Sequence, residues 1–372
     1  MKITKLKTIM VKPKTMFLKM YTDEGIVGYG EPILEGHAHV VAAAVKEFEK
    51  YLLGEDPRRI THHWQAMYRG GFYRGGPIIM SAISGIEQAM WDILGKYLNV
   101  PVYLLLGGHC RDKVRVYSHI HGKTPKEYAE DAVHKVSLGY TALKFGLPYP
   151  LEIIDNKEYI DKCASIMAAV REAVDSNIDI AIDFHGRLGP GMAKVLIKEF
   201  EPFNPFFIEE PCLPENVDSL VDIARSTYVP IATGERLYTK WGFRKVLEKQ
   251  AAFILQPDVS HAGGIMEVRN IAAMAEVYYA GMAPHCPLGP IALASCIQVD
   301  AAIPNFLIQE AVTLGEGYLT EPFELEKDGY IKIPKKPGLG IELDEKFIKE
   351  NIYDGNWTTP EVYRKDGSVT EW

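Results

Sequence analysis

The amino-terminal apolar positions fall into three short, partly alternating runs, Ile3–Val11, Met16–Tyr21 and Ile26–Ile33. Asp23-Glu24-Gly25 separates the last two and supplies a turn signal, so the pattern predicts an antiparallel meander. The period then lengthens. His37–Leu53 and Ile79–Leu98 read as helices, the second carrying Ile83, Ile86, Ala89, Met90, Ile93 and Leu94 at helical spacing. Between them Tyr68–Pro77 is a glycine-rich loop with aromatic and basic residues, and Pro101 with Gly107-Gly108 closes the region.

From Val114 onward, short apolar runs alternate with helical segments: Val114–Ser118, Thr141–Phe145, Ile178–Phe184, Phe206–Ile208, Pro230–Thr233, Phe253–Gln256, Gly281–Pro284 and Phe306–Gln309. Strands alternating with helices imply a parallel sheet, and eight such units imply a closed α/β barrel. The tail beyond the last run lacks this alternation and is expected to pack back on the amino-terminal region.

With 372 residues the chain is long enough for two domains and a large core. Its formal charge of −8 argues against nucleic acid or an anionic membrane as partner. An anionic substrate would need local positive charge, from side chains or a metal. The five cysteines contain no CxxC pair, which disfavours a disulfide framework or zinc knuckle and favours a reducing compartment. No apolar run is long enough for a membrane span, and no secretory leader is evident, so a cytoplasmic location is expected.

The acids change the picture most. Asp183, Glu209 and Glu235 close the third, fourth and fifth runs and lie 26 residues apart in each case. One strand-plus-helix unit separates each from the next, so all three belong at the carboxyl-terminal mouth, where barrel active sites are built. Converging carboxylates repel unless a cation joins them. Oxygen-only ligation suits a hard divalent ion, magnesium first and manganese as substitute. Glu210 competes with Glu209, but neighbouring strand residues face opposite ways and the spacing favours Glu209.

Asp258, His285 and Glu310 close the next three runs at separations of 23, 27 and 25 residues, so all six positions are read as sharing one phase. Neighbouring strands would set Asp258 against a ring nitrogen of His285, fixing the tautomer and raising its basicity. His185 follows Asp183 by two residues and would face the same way if the strand continues. The third and seventh strands oppose each other across an eight-stranded ring. His185 and His285 are therefore placed on opposite faces of a bound substrate, one as base and the other as acid. The His62-His63 pair, His119, His121 and His261 have no comparable support.

Asp183-Phe-His-Gly-Arg187, Phe207-Ile-Glu-Glu-Pro211, Gly234-Glu-Arg236, Leu255-Gln-Pro-Asp258 and Ala283-Pro-His-Cys-Pro-Leu-Gly-Pro290 resemble the enolase superfamily, mandelate racemase subgroup. Phe72-Tyr-Arg-Gly-Gly-Pro77, Met192–Lys198, Ser260-His-Ala-Gly-Gly264, Lys336-Pro-Gly-Leu-Gly340 and the closing Ser368–Trp372 narrow it to the D-galactonate dehydratase family, over nearly the whole chain. The resemblance implies a modified TIM-type (β/α)7β barrel with an α+β capping domain made from both chain ends. The boundaries expected are 1–112 for the amino-terminal cap, 113–315 for the barrel and 316–372 for the segment completing the cap. It implies magnesium on Asp183, Glu209 and Glu235, His285 with Asp258 as the base at C2, and His185 as the acid expelling the 3-hydroxyl. Glu310 would hydrogen-bond the substrate carboxylate, as a donor when protonated. Subgroup members with a lysine base carry two lysines one residue apart; here Lys144 is followed by Phe145 and Gly146, so only the first is present. Lys144 is kept as a substrate-binding candidate.

The implied reaction is dehydration of a sugar acid, D-galactonate foremost, to its 2-keto-3-deoxy product. A dehydratase of gluconate, fuconate or arabinonate and a 2-hydroxy-acid racemase or epimerase share the same machinery, and product analysis with solvent-proton exchange separates them. A non-catalytic sugar-acid-binding protein would be expected to have lost some of the six ladder residues. Specificity is assigned to segments 14–20 and 68–77, with Phe72, Tyr73 and Arg74 as the named contacts. A homo-oligomer is expected.

Overall fold

The computed structural model describes residues 1–149 and 151–372. The amino-terminal runs form β1 (Ile3–Val11), β2 (Thr15–Thr22) and β3 (Val27–Gly30), an antiparallel sheet in that order. Helices α1 (Ala38–Leu52), α2 (Ile60–Arg69), α3 (Pro77–Leu98) and α4 (Val102–Leu105) follow. β3 can press onto α3 because Gly30 lacks a side chain; a Cβ there would sit 1.9 Å from the Gly85 carbonyl oxygen. α2 lies outside the predicted helices. Its buried face is Ile60, His63, Trp64 and Met67, helical spacing interrupted by a histidine. Tyr68 and Arg69 therefore end a helix, and the glycine-rich loop begins after them. Segment 14–20 is likewise mostly strand β2, whose residues are almost all buried.

All eight expected barrel strands are present, the last six shorter than their apolar runs: β4 (Lys113–His119), β5 (Ala142–Gly146), β6 (Asp179–Asp183), β7 (Ile208–Glu209), β8 (Ile231–Thr233), β9 (Ile254–Leu255), β10 (Gly281–Met282) and β11 (Gln309–Glu310). Neighbours in chain order pair in parallel, β11 returns to pair with β4, and a bridge from Met282 to Phe306 closes the ring. Helices α5 (Pro125–Leu138), α6 (Lys157–Ala173), α7 (Pro190–Phe200), α8 (Val217–Ala224), α9 (Thr239–Glu248), α10 (Ile265–Val277) and α11 (Pro290–Ala302) follow the first seven strands. None follows the eighth before β12 (Tyr330–Lys332), so the barrel is (β/α)7β. Among the described residues no helix is long and apolar enough to cross a membrane.

The segment after residue 315 divides its contacts. β12 pairs antiparallel with β4 of the barrel, whereas α12 (Glu345–Glu350) leads to a bridge between Ile352 and Val11 of the cap. The segment assigned to the cap thus touches the barrel as well, through the pairing of β12 with the first half of β4.

One side chain from each strand or its flank fills the barrel interior: Tyr117, Ala142, Ala181, Phe207, Ala232, Ile254, Ala283 and Ile308. Four bulky residues are interspersed with four alanines, which lets them fit within a narrow ring. This layer is the floor on which the polar mouth stands.

Two buried glutamates fasten the cap to the barrel. Glu31, just after β3, accepts from the Gly289 and Ala292 N–H groups at the start of α11, at 2.7 and 2.9 Å. Glu87, within α3, accepts from the Ile265 and Met266 N–H groups at the start of α10, at 2.8 and 2.9 Å, and from the Trp91 indole at 2.7 Å. Helix amino termini have unpaired donors and favour negative charge, so each carboxyl answers a need of the other domain. Burial pushes Glu31 up to about 7 and Glu87 up to about 8. Glu87→Leu strands three buried donors and is expected to lower stability by about 3 kcal/mol, with Glu87→Gln losing less because an acceptor remains. Equilibrium denaturation measures both; an unchanged midpoint for the leucine variant would show that the interlock carries no stability.

Candidate active site

Alternate residues of a strand share a face, so the position two after each floor residue points into the mouth. These positions are His119, Lys144, Asp183, Glu209, Gly234, Gln256, His285 and Glu310. Four of the six ladder residues obey this rule. Glu235 and Asp258 do not; they follow their floor residues by three and four positions, so the ladder does not share a single phase. At Gly234 the backbone turns through φ +145°, and a Cβ there would lie 2.8 Å from Phe243 and 2.9 Å from the Gln256 nitrogen. That bend brings Glu235 into the mouth.

Asp183, Glu209 and Glu235 each offer an oxygen within 4.8 Å of the others. Burial, reinforced by the neighbouring acids, pushes Glu209 up to about 8 and Glu235 up to about 7. Glu235 Oε2 is buried without a hydrogen-bond partner. Three hard oxygen donors, one of them orphaned, fit a divalent cation. Glu210 turns away: its carboxylate accepts from the Thr233 hydroxyl at 2.6 Å and the Gly234 N–H at 2.8 Å.

Lys144 stands among these acids. Its Nζ lies 2.8 Å from Glu209 Oε1, 2.8 Å from Glu310 Oε1 and 3.9 Å from Asp183 Oδ2. Burial opposes its charge, but the Glu209 and Glu310 carboxylates outweigh it and hold the ammonium well above its ordinary range. Glu310 also accepts from His119 Nε2 at 2.6 Å and from the Cys286 N–H at 2.6 Å. Burial alone would raise it, yet Lys144, His285 and His119 hold it well below the usual carboxylate range. In the structure Glu310 accepts from three groups: the Lys144 ammonium, His119 Nε2 and the Cys286 N–H.

The structure brings His285 and Asp258 together, with Nδ1 2.8 Å from Oδ2. His285 Nε2 lies 3.4 Å from Glu235 Oε2, and His185 Nε2 lies 3.9 Å from Glu235 Oε1. The two rings thus approach the two oxygens of one carboxylate. Burial works against a charged His285, but Glu235, Glu310 and Asp258 overcome it and raise the imidazole well above its usual range. His185 goes the other way, lowered chiefly by burial. β6 ends at Asp183, and His185 sits at φ +56°, so it reaches the mouth through a left-handed turn and not along a continued strand.

The cleft above the floor measures about 1340 Å³. Phe72 and Tyr73 are 91% and 92% exposed, and neither they nor Arg74 line it. They are not brought to the site. The cap reaches the cleft instead through Lys14, Leu34 and Glu35. His119 was passed over because its strand carries no acid; the two-after-the-floor rule finds it. His261 accompanies it in the wall, 2.8 Å from the Ser81 hydroxyl.

A capped (β/α)7β barrel with a carboxylate cluster flanked by two imidazoles defines an enolase-type site. Residues 127–347 match the family described as enolase C-terminal domain-like, and residues 4–107 match the mandelate racemase/muconate lactonizing enzyme amino-terminal domain. Over the full length of both chains, the sequence is 48% identical to D-galactonate dehydratase of Cronobacter sakazakii and 47% identical to that of Pectobacterium atrosepticum. The crystal structure of a mandelate racemase/muconate lactonizing enzyme from Sulfitobacter sp. superimposes with a TM-score of 0.92 at 34% identity, covering 100% of each chain. The chain belongs to the D-galactonate dehydratase family of the enolase superfamily, mandelate racemase subgroup.

Titration calorimetry with magnesium tests the cluster. Asp183→Asn, Glu209→Gln and Glu235→Gln are each expected to weaken binding at least about 10-fold, since each deletes a hard anionic ligand. Parent-like affinity in any one of them removes that residue from the set.

Proposed function

We propose that the protein is a hydro-lyase that dehydrates D-galactonate to 2-dehydro-3-deoxy-D-galactonate, with His285 as base and His185 as acid. The observation that carries this reading is the pair of imidazoles reaching opposite oxygens of Glu235, beside the cation cluster. The relatives named D-galactonate dehydratase supply the substrate.

A proton beside a carboxylate is weakly acidic, because its loss piles a second negative charge onto the carboxylate oxygens. A magnesium ion held by Asp183, Glu209 and Glu235 would supply the positive charge that makes this tolerable. Lys144 and His119, both fixed by Glu310, stand ready to donate to the substrate carboxylate. Asp258 accepts from His285 Nδ1, which leaves Nε2 to take the proton from C2. The Asp258 hydrogen bond favours the positive charge that the ring gains on taking that proton. His185, as the imidazolium protonated on both nitrogens, then gives its Nε2 proton to the departing 3-hydroxyl and is left as the Nδ1–H tautomer. The C3–O bond breaks, water leaves, and the resulting enol tautomerises to the keto acid.

Proton NMR in deuterium oxide separates the two roles. His285→Asn is expected to lose both C2 exchange and product by about 10²-fold or more, the range of a general base. His185→Asn should block product while C2 exchange persists. Exchange without product in the parent enzyme would instead establish a racemase or epimerase, and rapid exchange by His285→Asn would make another group the base.

A further inference from the structure

The carboxy-terminal segment runs from the cap into the cleft. It leaves α12 beside β1, where Lys12 N–H donates to the Asn351 carbonyl at 2.9 Å and Ile352 bridges Val11. Lys14 Nζ lies 4.8 Å from the Trp357 ring centre. A small hairpin follows, closed by Arg364 N–H to the Ser368 carbonyl and Thr370 N–H to the Val362 carbonyl, each 2.9 Å. Glu152, in the loop between β5 and α6, meets it at 3.5 Å from Lys365 N and 4.0 Å from Arg364 Nε. The segment thus spans from cap to barrel loop and delivers Trp372 to the mouth.

There the main-chain oxygen of Trp372 accepts from His185 Nδ1. The Trp372 ring meets the imidazole edge-on, centres 5.9 Å apart at 76°, and packs against Trp357 at 5.8 Å. His185 needs such a partner. It lies beyond the end of β6 in a left-handed turn, so strand geometry does not aim its ring. Its main chain is held by Asp183 Oδ1 at 2.6 Å and by Arg236 at 3.1 Å. A donor bond from Nδ1 to that oxygen holds the Nδ1 proton in place and leaves Nε2, the nitrogen that gains and gives the proton, facing the acids. The T-shaped ring contact restricts rotation about the side-chain bonds.

We propose that Trp372 is a positioning residue for His185 and that residues 351–372 form the strap that holds it there. The strap makes the cap a contributor to the acid step as well as to the wall of the cleft. In its catalytic part this rests on His185 being the acid.

The test uses the full enzyme loaded with magnesium, with residues 368–372 deleted, and with Trp372→Phe as the conservative partner. Two readouts are needed. With D-galactonate in deuterium oxide, the parent passes each abstracted substrate on to product. The deletion is expected to lower product formation about 10²-fold while deuterium still enters C2, so the ratio of exchange to product rises by about the same factor. Trp372→Phe, which keeps the oxygen and an aromatic edge, should stay within a few-fold of the parent. The second readout needs no substrate: nitrogen-15 spectra of ring-labelled histidine should show His185 Nδ1 protonated throughout in the parent, with Nε2 alone titrating, and averaged nitrogens for the neutral ring in the deletion. A parent-like ratio in the deletion, or equal loss of exchange and product, overturns the proposal. So does an unchanged His185 signal. If the parent itself makes no keto-deoxy acid, the dehydratase reading fails, and the nitrogen spectra still decide whether the strap positions the ring.

Discussion

The molecule is organised around a repulsion. Asp183, Glu209 and Glu235 bring oxygens within 4.8 Å at the mouth of the barrel, and Asp258 and Glu310 stand beside them. Two unit charges at that distance repel by about 3.5 kcal/mol at an effective dielectric near 20. Three such pairs approach about 10 kcal/mol, comparable to the whole stability of a domain. Positive charge is therefore part of the fold. Lys144 supplies some of it within the chain, and the orphaned oxygen of Glu235 marks where more is wanted.

Holding such a site open demands a rigid surround. The ring of eight interior side chains gives the mouth a solid floor, so polar residues above it are displaced neither downward nor sideways. The cap is fastened by buried hydrogen bonds as well as by apolar contact. Glu31 and Glu87 reach out of the cap to the amino termini of α10 and α11, the helices on either side of the strand that presents His285. Fixing those two helices fixes the frame from which His285 and Asp258 project.

Much of this was legible in the sequence because it follows from periodicity. Eight apolar runs at regular spacing announce a parallel barrel, and acids at the ends of successive runs announce its mouth. Glu235 and Asp258 were found despite being out of phase, because chain spacing averages over the bend at Gly234. His119 escaped because spacing was read from the acids and not from the barrel interior. Tyr117 and Ala142 two residues before His119 and Lys144 were the missing key. The cap was harder. Aromatic and basic residues on a glycine-rich loop look like substrate contacts, but nothing local reveals which way a loop folds, and Phe72 and Tyr73 point into solvent. The cap residues that do line the cleft, Lys14, Leu34 and Glu35, flank strands and carry no compositional signal.

The two chain ends explain why the cap must be built from both. Its sheet and helices place Lys14, Leu34 and Glu35 on one side of the cleft, while the segment after α12 crosses beside Val11 and descends toward His185. His285, just beyond β10, is held by a neighbour within the barrel, Asp258. His185 has no such partner on an adjacent strand, because the turn after Asp183 lifts it out of the sheet's register. Its ring can be held only from above, by chain that the barrel does not own. Under the roles proposed above, strand geometry places the base and the strap places the acid, so the second step of the proposed reaction would depend on the seating of the cap.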